Sequence, residues 1–140
     1  MSSETEQNKA VVRRHIEAMN EGDREEFADC FAADAAPHGS DVEEFIEAEF
    51  AWFDAFPDLH YTIHDVFGED DRVAIHWTFE GTHERKGGPD VLSKVEPTYE
   101  ELEIEGINIA RVEDGEIVEY TGTWDVHEML DAFDLIDWPD

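Results

Sequence analysis

Seven histidines and a large excess of carboxylates are the groups of this 140-residue chain that could do chemistry. An imidazole titrates near pH 6.5, so it can take or give a proton at neutral pH. His38 precedes a glycine in the loop Ala35-Ala36-Pro37-His38-Gly39-Ser40, just before an aromatic helix. It reads as a pocket base or hydrogen-bond donor, against the alternative of a loop histidine bonded to backbone. His83 closes a strand beside Gly87-Gly88-Pro89. It reads as a ligand-binding rim residue, against simple exposure. His60, His64 and His76 share a strand face with threonines, which raises the question of a metal site. On a strand, however, the spacing of His60 and His64 separates them by roughly 13 Å. That face is therefore read as a polar surface suited to a dimer, and no metal is expected. His15 and His127 fall on helices and read as structural or solvent-facing.

Other side chains are weighed the same way. Asn108 can polarise a carbonyl but cannot transfer a proton at neutral pH. Asp125 precedes an apolar helix, which makes it an N-cap first and an acid second. Trp52, Phe53, Phe56, Trp77, Phe79, Tyr120 and Trp124 read as core, and a pocket can be the unfilled end of such a core. Phe53, Trp77 and Tyr120, with Asn108, are expected to wall that pocket. Cys30 is the single cysteine, so no internal disulfide can form.

The elements that must position these groups can be read from periodicity. Val11, Val12, His15, Ile16 and Met19 share one face of a helix from Asn8 to Asn20. Gly22 suits its C-cap, and Asp23 the N-cap of a short helix to Phe31. Asp41 caps a third helix, with Val42, Phe45, Ile46, Phe50 and Phe53 on one side and Pro57 at its end. Strands follow from Leu59 to Phe67, with Tyr61, Ile63 and Phe67 on one face and His60, Thr62, His64 and Val66 on the other, and from Arg72 to Thr82, where Val73, Ile75, Trp77 and Phe79 alternate with Ala74, His76, Thr78 and Glu80. His83 to Pro97 is a polar loop. Tyr99 to Asp125 is a long hairpin turning at Asp114-Gly115. Within it the apolar phase slips at Glu105-Gly106, from Leu102 and Ile104 to Ile107 and Ile109, which predicts a β-bulge there. A helix from Asp125 to Leu135 and a tail from Ile136 to Asp140 close the chain. Helices first and hairpins after argue for an α+β fold, not for parallel βαβ units.

Composition limits the function. Residues 1–140 make one domain, of a size that buries roughly 68% of its unfolded surface. Acidic residues number 38 against 9 basic ones, a net charge of -29. Such a chain repels phosphate backbones, so no nucleic acid is expected as partner. The acids are spread among apolar residues in periodic order, which excludes a disordered tail. The coat suits a salt-filled cytoplasm, as in a haloarchaeal cell, against the alternative of docking to a basic partner. No apolar run reaches the roughly 18 residues of a membrane span, and MSSETEQNKA has no apolar signal region. A cytoplasmic protein with no membrane contact is expected.

Four segments resemble one family. VVRRHIEAMNEGDREEFADCFAADA resembles the first two helices of NTF2-like proteins of the SnoaL-like polyketide cyclase group. AFPDLHYTIHDVFGEDDRVAIHWTFEGTHE, EPTYEELEIEGINIARVEDGEIVEY and WDVHEMLDAFDLI are similar to that group's later segments, in the same order. The likeness covers about residues 8 to 135. It implies a cone of α+β structure, with a curved, mostly antiparallel sheet and the N-terminal helices packed on its concave side. It also implies a pocket between sheet and helices and a homodimer formed through the sheets. Cyclases of the group close a ring by aldol condensation, with a pocket aspartate as general acid/base and a helper histidine. The matching positions here are Gly122 and Asn108, and the glycine of the group's PTG motif is replaced by Tyr99. Glycine supplies no ionisable group, so that machinery does not carry over. His38 and His83 match histidines of the group.

Two functions follow as expectations. One is an enzyme moving a proton on a small apolar carbonyl compound (cyclase, isomerase or hydrolase type). Its acid/base would be His38 or His83, and its oxyanion donor Asn108 or Tyr120. The other is a non-catalytic pocket protein or dimeric scaffold, which Gly122 favours. Neither requires a cofactor.

Overall fold

The computed structural model describes residues 3–88 and 92–133. Helix α1 spans Glu4–Glu21 and starts earlier than its apolar stripe suggests, because Ser3 caps it by accepting from the Glu6 amide. Gly22 ends it in the left-handed conformation (φ 69°), returning its amide to the last turn. Asp23 caps α2 (Arg24–Asp29) and Asp41 caps α3 (Val42–Phe50). A one-residue break at Ala51 separates α3 from α4 (Trp52–Ala55), where a single helix was expected. Helix α5 (Val126–Ala132) begins at the Asp125 cap. The expected continuation of that helix to Leu135, and the tail after it, lie outside the described residues.

Four strands form one antiparallel sheet in sequence order: β1 (His60–Glu69), β2 (Arg72–Thr82), β3 (Glu101–Glu113) and β4 (Glu116–Trp124). The turn between β3 and β4 places Asp114 and Gly115 at φ 51° and 80°, the geometry that Asp-Gly supplies to a tight hairpin. Helix α1 lies across β1, β2 and β4. The buried side chains between helices and sheet form one cluster, including Val12, Phe27, Phe56, Val73, Ile75, Ile104 and Ile117.

The bulges are not where the sequence pattern puts them. Strand β3 pairs with β2 without a register shift from Arg72↔Arg111 to Thr82↔Glu101. Its alternation never slips: Leu102, Ile104, Gly106, Asn108, Ala110 and Val112 all point inward. Ile107 and Ile109 instead stand on the outer face, about half exposed at 48% and 46%. The apparent slip arose because the inward positions 106 and 108 carry a glycine and an asparagine. The observed irregularities lie at Ile63/Asp65 in β1, and opposite Arg111/Val112 in the β3–β4 pairing. The first turns Phe67 outward, to 61% exposure, and Val66 inward beside Ile75, which reverses their expected faces. Among the described residues no helix is long and apolar enough to cross a membrane.

Candidate functional site

A cavity of about 160 Å³ opens between the sheet and helices α1 to α4. A void of that size holds a molecule of single-ring dimensions. Aromatic side chains form much of its wall, and its polar groups come from α1, α3, the turn between α2 and α3, and all four strands.

One hydrogen-bond chain crosses the inner wall. Trp77 Nε1 donates to Asn108 Oδ1 at 3.2 Å. Asn108 Nδ2 donates to the Tyr120 hydroxyl. The Tyr120 hydroxyl and His15 Nε2 are 2.8 Å apart, and His15 Nδ1 faces the Val12 carbonyl. A carbonyl only accepts, so Nδ1 carries the imidazole proton and Nε2 accepts from Tyr120. The chain therefore runs in one direction, from indole to amide to phenol to imidazole to backbone. Burial keeps His15 neutral, with its pKa lowered to about 4, and raises that of Tyr120. The hydroxyl proton of Tyr120 is committed to His15. The Asn108 amide has two hydrogens, and Tyr120 takes one of them.

The backbone is shaped around this chain. Gly106 lies under Trp77, where a Cβ would stand 2.3 Å from Cζ2 of the indole. Gly122 faces Asn108 across β3 and β4, where a Cβ would stand 2.2 Å from Oδ1. The asparagine side chain thus occupies the room that an acid at 122 would need.

His38 sits at the mouth, in a 3-10 turn (Pro37–Gly39), and is itself in the left-handed region at φ 52°. A non-glycine residue there carries strain of about 1–2 kcal/mol. Its ring packs on Phe45 and Tyr120, at centroid distances of 5.7 and 5.5 Å. Partial desolvation lowers its pKa, which favours the neutral base.

Glu49, on the last turn of α3, also lines the cavity. The residue keeps some accessible surface, yet atoms crowd its carboxyl group closely enough to push the pKa up to about 7. Among the described residues no lysine or arginine lines the space.

Of the residues picked out in the sequence, His38, Trp77, Asn108 and Tyr120 meet at this cavity. Phe53 does not line it; it stacks on Phe50 at 5.8 Å, behind the wall. His83 is also elsewhere. It is fully buried, 4.9 Å from the Phe133 ring centroid, and its Nδ1 accepts from the Thr98 amide at 3.2 Å. It is neither exposed nor on a rim. His15 and Glu49 escaped the sequence reading, although both carried a signal. His15 sits on the apolar face of α1, so it had to be buried rather than solvent-facing. Glu49 falls four residues after Phe45 and three after Ile46, on the aromatic stripe of α3. Among the described residues no group of three or more histidine, cysteine or carboxylate side chains could hold a metal ion.

Known proteins place this architecture. A family model described as SnoaL-like polyketide cyclase matches residues 9–133. The chain is similar to IdmH from Streptomyces antibioticus, a candidate polyketide cyclase, at 28% identity and TM-score 0.80, covering 91% of this chain and 99% of that one. It shares its fold with AclR from Streptomyces galilaeus, a candidate hydroxylase, at 22% identity and TM-score 0.83, over 97% and 87% of the two chains. TsrD from Streptomyces laurentii has the same fold at 18% identity and TM-score 0.82, over 96% and 100%. Comparison with curated proteins found no match.

Proposed function

Because this chain belongs to the SnoaL-like polyketide cyclase family, we propose that its cavity takes up a small, largely apolar carbonyl compound and moves a proton on it. The observation that carries this reading is the Asn108 amide, fixed between Trp77 and Tyr120 in a desolvated cavity with His38 at the mouth. An amide held in place by two partners is a preorganised donor, and such donors are worth about 10²–10³ in rate where charge develops on oxygen. The second amide hydrogen of Asn108 polarises the carbonyl, and the neutral His38 imidazole takes a proton from the neighbouring carbon. Ring closure of the kind catalysed by polyketide cyclases begins with the same enolisation. A cavity of about 160 Å³ limits the substrate to about one ring. His83 is assigned a structural role.

The test is exchange of the α-hydrogens of cyclohexanone in D2O and molar KCl, followed by NMR. The wild-type protein should accelerate exchange, and His38→Ala should reduce it by about 10²-fold or more. Equal rates with and without the protein would overturn the reading.

The exposed Ile107, Ile109 and Phe67 on the outer sheet face support a homodimer joined through that face. The net charge of -29 supports work in a salt-rich cytoplasm, where repulsion between the two copies is screened.

A further inference from the structure

The cavity lacks an acid at 122, yet it holds a carboxyl group on the opposite wall. Glu49 comes from α3, whereas Asn108 and Gly122 belong to the sheet. Among the described residues its carboxyl group has neither a hydrogen bond nor an ion pair, and it lines the same space as Asn108 and His38. We propose that Glu49 is the general acid of this site, giving its proton to the carbonyl oxygen of the bound substrate while His38 takes one from the adjacent carbon. The assignment rests on the cavity being a place of proton transfer.

The groups around Glu49 explain why its proton is retained. Tyr61 from β1 and Tyr120 from β4 lie nearby with neutral hydroxyls, because burial raises the pKa of both, so they bring no charge to bear on the carboxyl group. His38 from the 3-10 turn and His15 from α1 line the same space, and burial keeps both neutral. Among the described residues no lysine or arginine lines the space to stabilise a carboxylate, so desolvation dominates and the pKa rises to about 7. Desolvation acts oppositely on the two kinds of group: it holds the proton on the carboxyl and removes it from the imidazole. One cavity thereby holds an acid and a base near neutral pH, the pattern of paired roles set by environment.

The step balances without a cofactor. The α C–H bond breaks, its proton goes to the His38 imidazole, and its electron pair forms the C=C bond of an enol. The carbonyl π pair takes the Glu49 proton. An imidazolium and a carboxylate remain, opposite charges in one low-dielectric space. The imidazolium of His38 trades its proton for a deuteron of the solvent, and delivery of that deuteron to the α-carbon, with return of the enol proton to Glu49, restores the site and leaves the α-position exchanged.

The deciding comparison uses the full chain in molar KCl with cyclohexanone as probe. Glu49→Gln keeps the size of the side chain and removes its proton. It should lower α-deuterium exchange at least tenfold, and the fall in wild-type rate as pH rises through 7 should vanish. Exchange that Glu49→Gln leaves intact, with the same pH profile, would overturn the role of Glu49 alone. No exchange by the wild type would overturn the cavity reading instead, a different result. Infrared difference spectra between wild type and Glu49→Gln give a second readout that needs no ligand. A protonated carboxyl band at pH 6 that disappears across pH 7 supports the assignment. An ionised Glu49 at pH 6 overturns it.

Discussion

Asn108 and Gly122 face each other across β3 and β4, and the amide of one fills the space where the other would carry a side chain. Restoring an aspartate at 122 therefore does not restore the acid. Gly122→Asp should lose about 1–3 kcal/mol of stability through overpacking. Gly122→Asp combined with Asn108→Ala should recover more than half of that loss, because the atom lying 2.2 Å from the new Cβ is removed. Denaturant titrations in molar KCl measure both. Equal losses in the single and double variants would show that the cross-strand backbone, not Asn108, sets the limit.

Acid should destabilise the fold through His15. Its folded pKa of about 4 lies below the unfolded value of 6.5, so the unfolded chain binds more protons between those limits. The contribution is full above pH 6.5 and is lost as pH falls through 4, a change of about 3 kcal/mol. Glu49 acts in the opposite sense. Its folded pKa of about 7 lies above 4.5, so its contribution is full below pH 4.5 and lost as pH rises through 7. Glu49→Gln should accordingly be more stable than wild type at pH 8, by up to about 3 kcal/mol, with the gap closing at pH 5. Unfolding free energies of wild type and Glu49→Gln across pH 4–8 give both slopes.

His83 and His38 should separate cleanly. His83→Ala removes a ring packed between Phe56 and Phe133 and should cost about 2–4 kcal/mol. Its occupancy by cyclohexanone, followed by fluorescence of the cavity tryptophans Trp52, Trp77 and Trp124, should remain wild-type in molar KCl. His38→Ala should leave stability within about 1 kcal/mol, since the exposed residue gives up only its ring contacts with Phe45 and Tyr120 and the left-handed strain is unchanged. Loss of cyclohexanone exchange from His83→Ala, with the fold intact, would return His83 to the site.

The outer sheet face can be tested without any ligand. Ile107→Glu and Ile109→Glu place charge at positions that already face solvent in the single chain. Each should leave thermal unfolding of the monomer nearly unchanged and shift the mass seen by light scattering from dimer to monomer. A dimer that persists in both variants would locate the interface elsewhere.

Salt should be a stabiliser. With a net charge of -29, self-repulsion is least screened in dilute buffer, where the Debye length reaches roughly 30 Å at 0.01 M. The melting temperature should rise steadily to molar KCl, by roughly 2–5 °C for each kcal/mol of repulsion relieved. A flat response between those conditions would show that the acidic coat is not a salt adaptation.

Local chemistry was legible in the sequence wherever it acts within a few residues. The caps at Asp23, Asp41 and Asp125, the left-handed stop at Gly22 and the turn at Asp114-Gly115 are all where the residue types place them. Each depends on a hydrogen bond or a dihedral between near neighbours, so the pattern carries the answer. The alternation of β2 was equally plain, because a strand packed on one face repeats every second residue. The resemblance spanning residues 8 to 135 added the α+β cone that these elements build.

The functional site was decided at longer range. Two misread positions, Gly106 and Asn108, look like a bulge in the sequence because an inward glycine and an inward asparagine mimic a slipped phase. Only pairing with β2 and β4 shows that Trp77 fills the first place and that Asn108 bends over Gly122. The bond between His15 and Tyr120 joins residues 105 apart in the chain. Glu49 acquires its raised pKa from helix and sheet surfaces that meet only in the folded chain. The sequence by itself determined the elements and their polarity, since those follow from interactions within a turn or along a strand. The tertiary structure alone decided which acid, base and amide share one cavity, because a cavity is the space that distant faces leave unfilled when they pack.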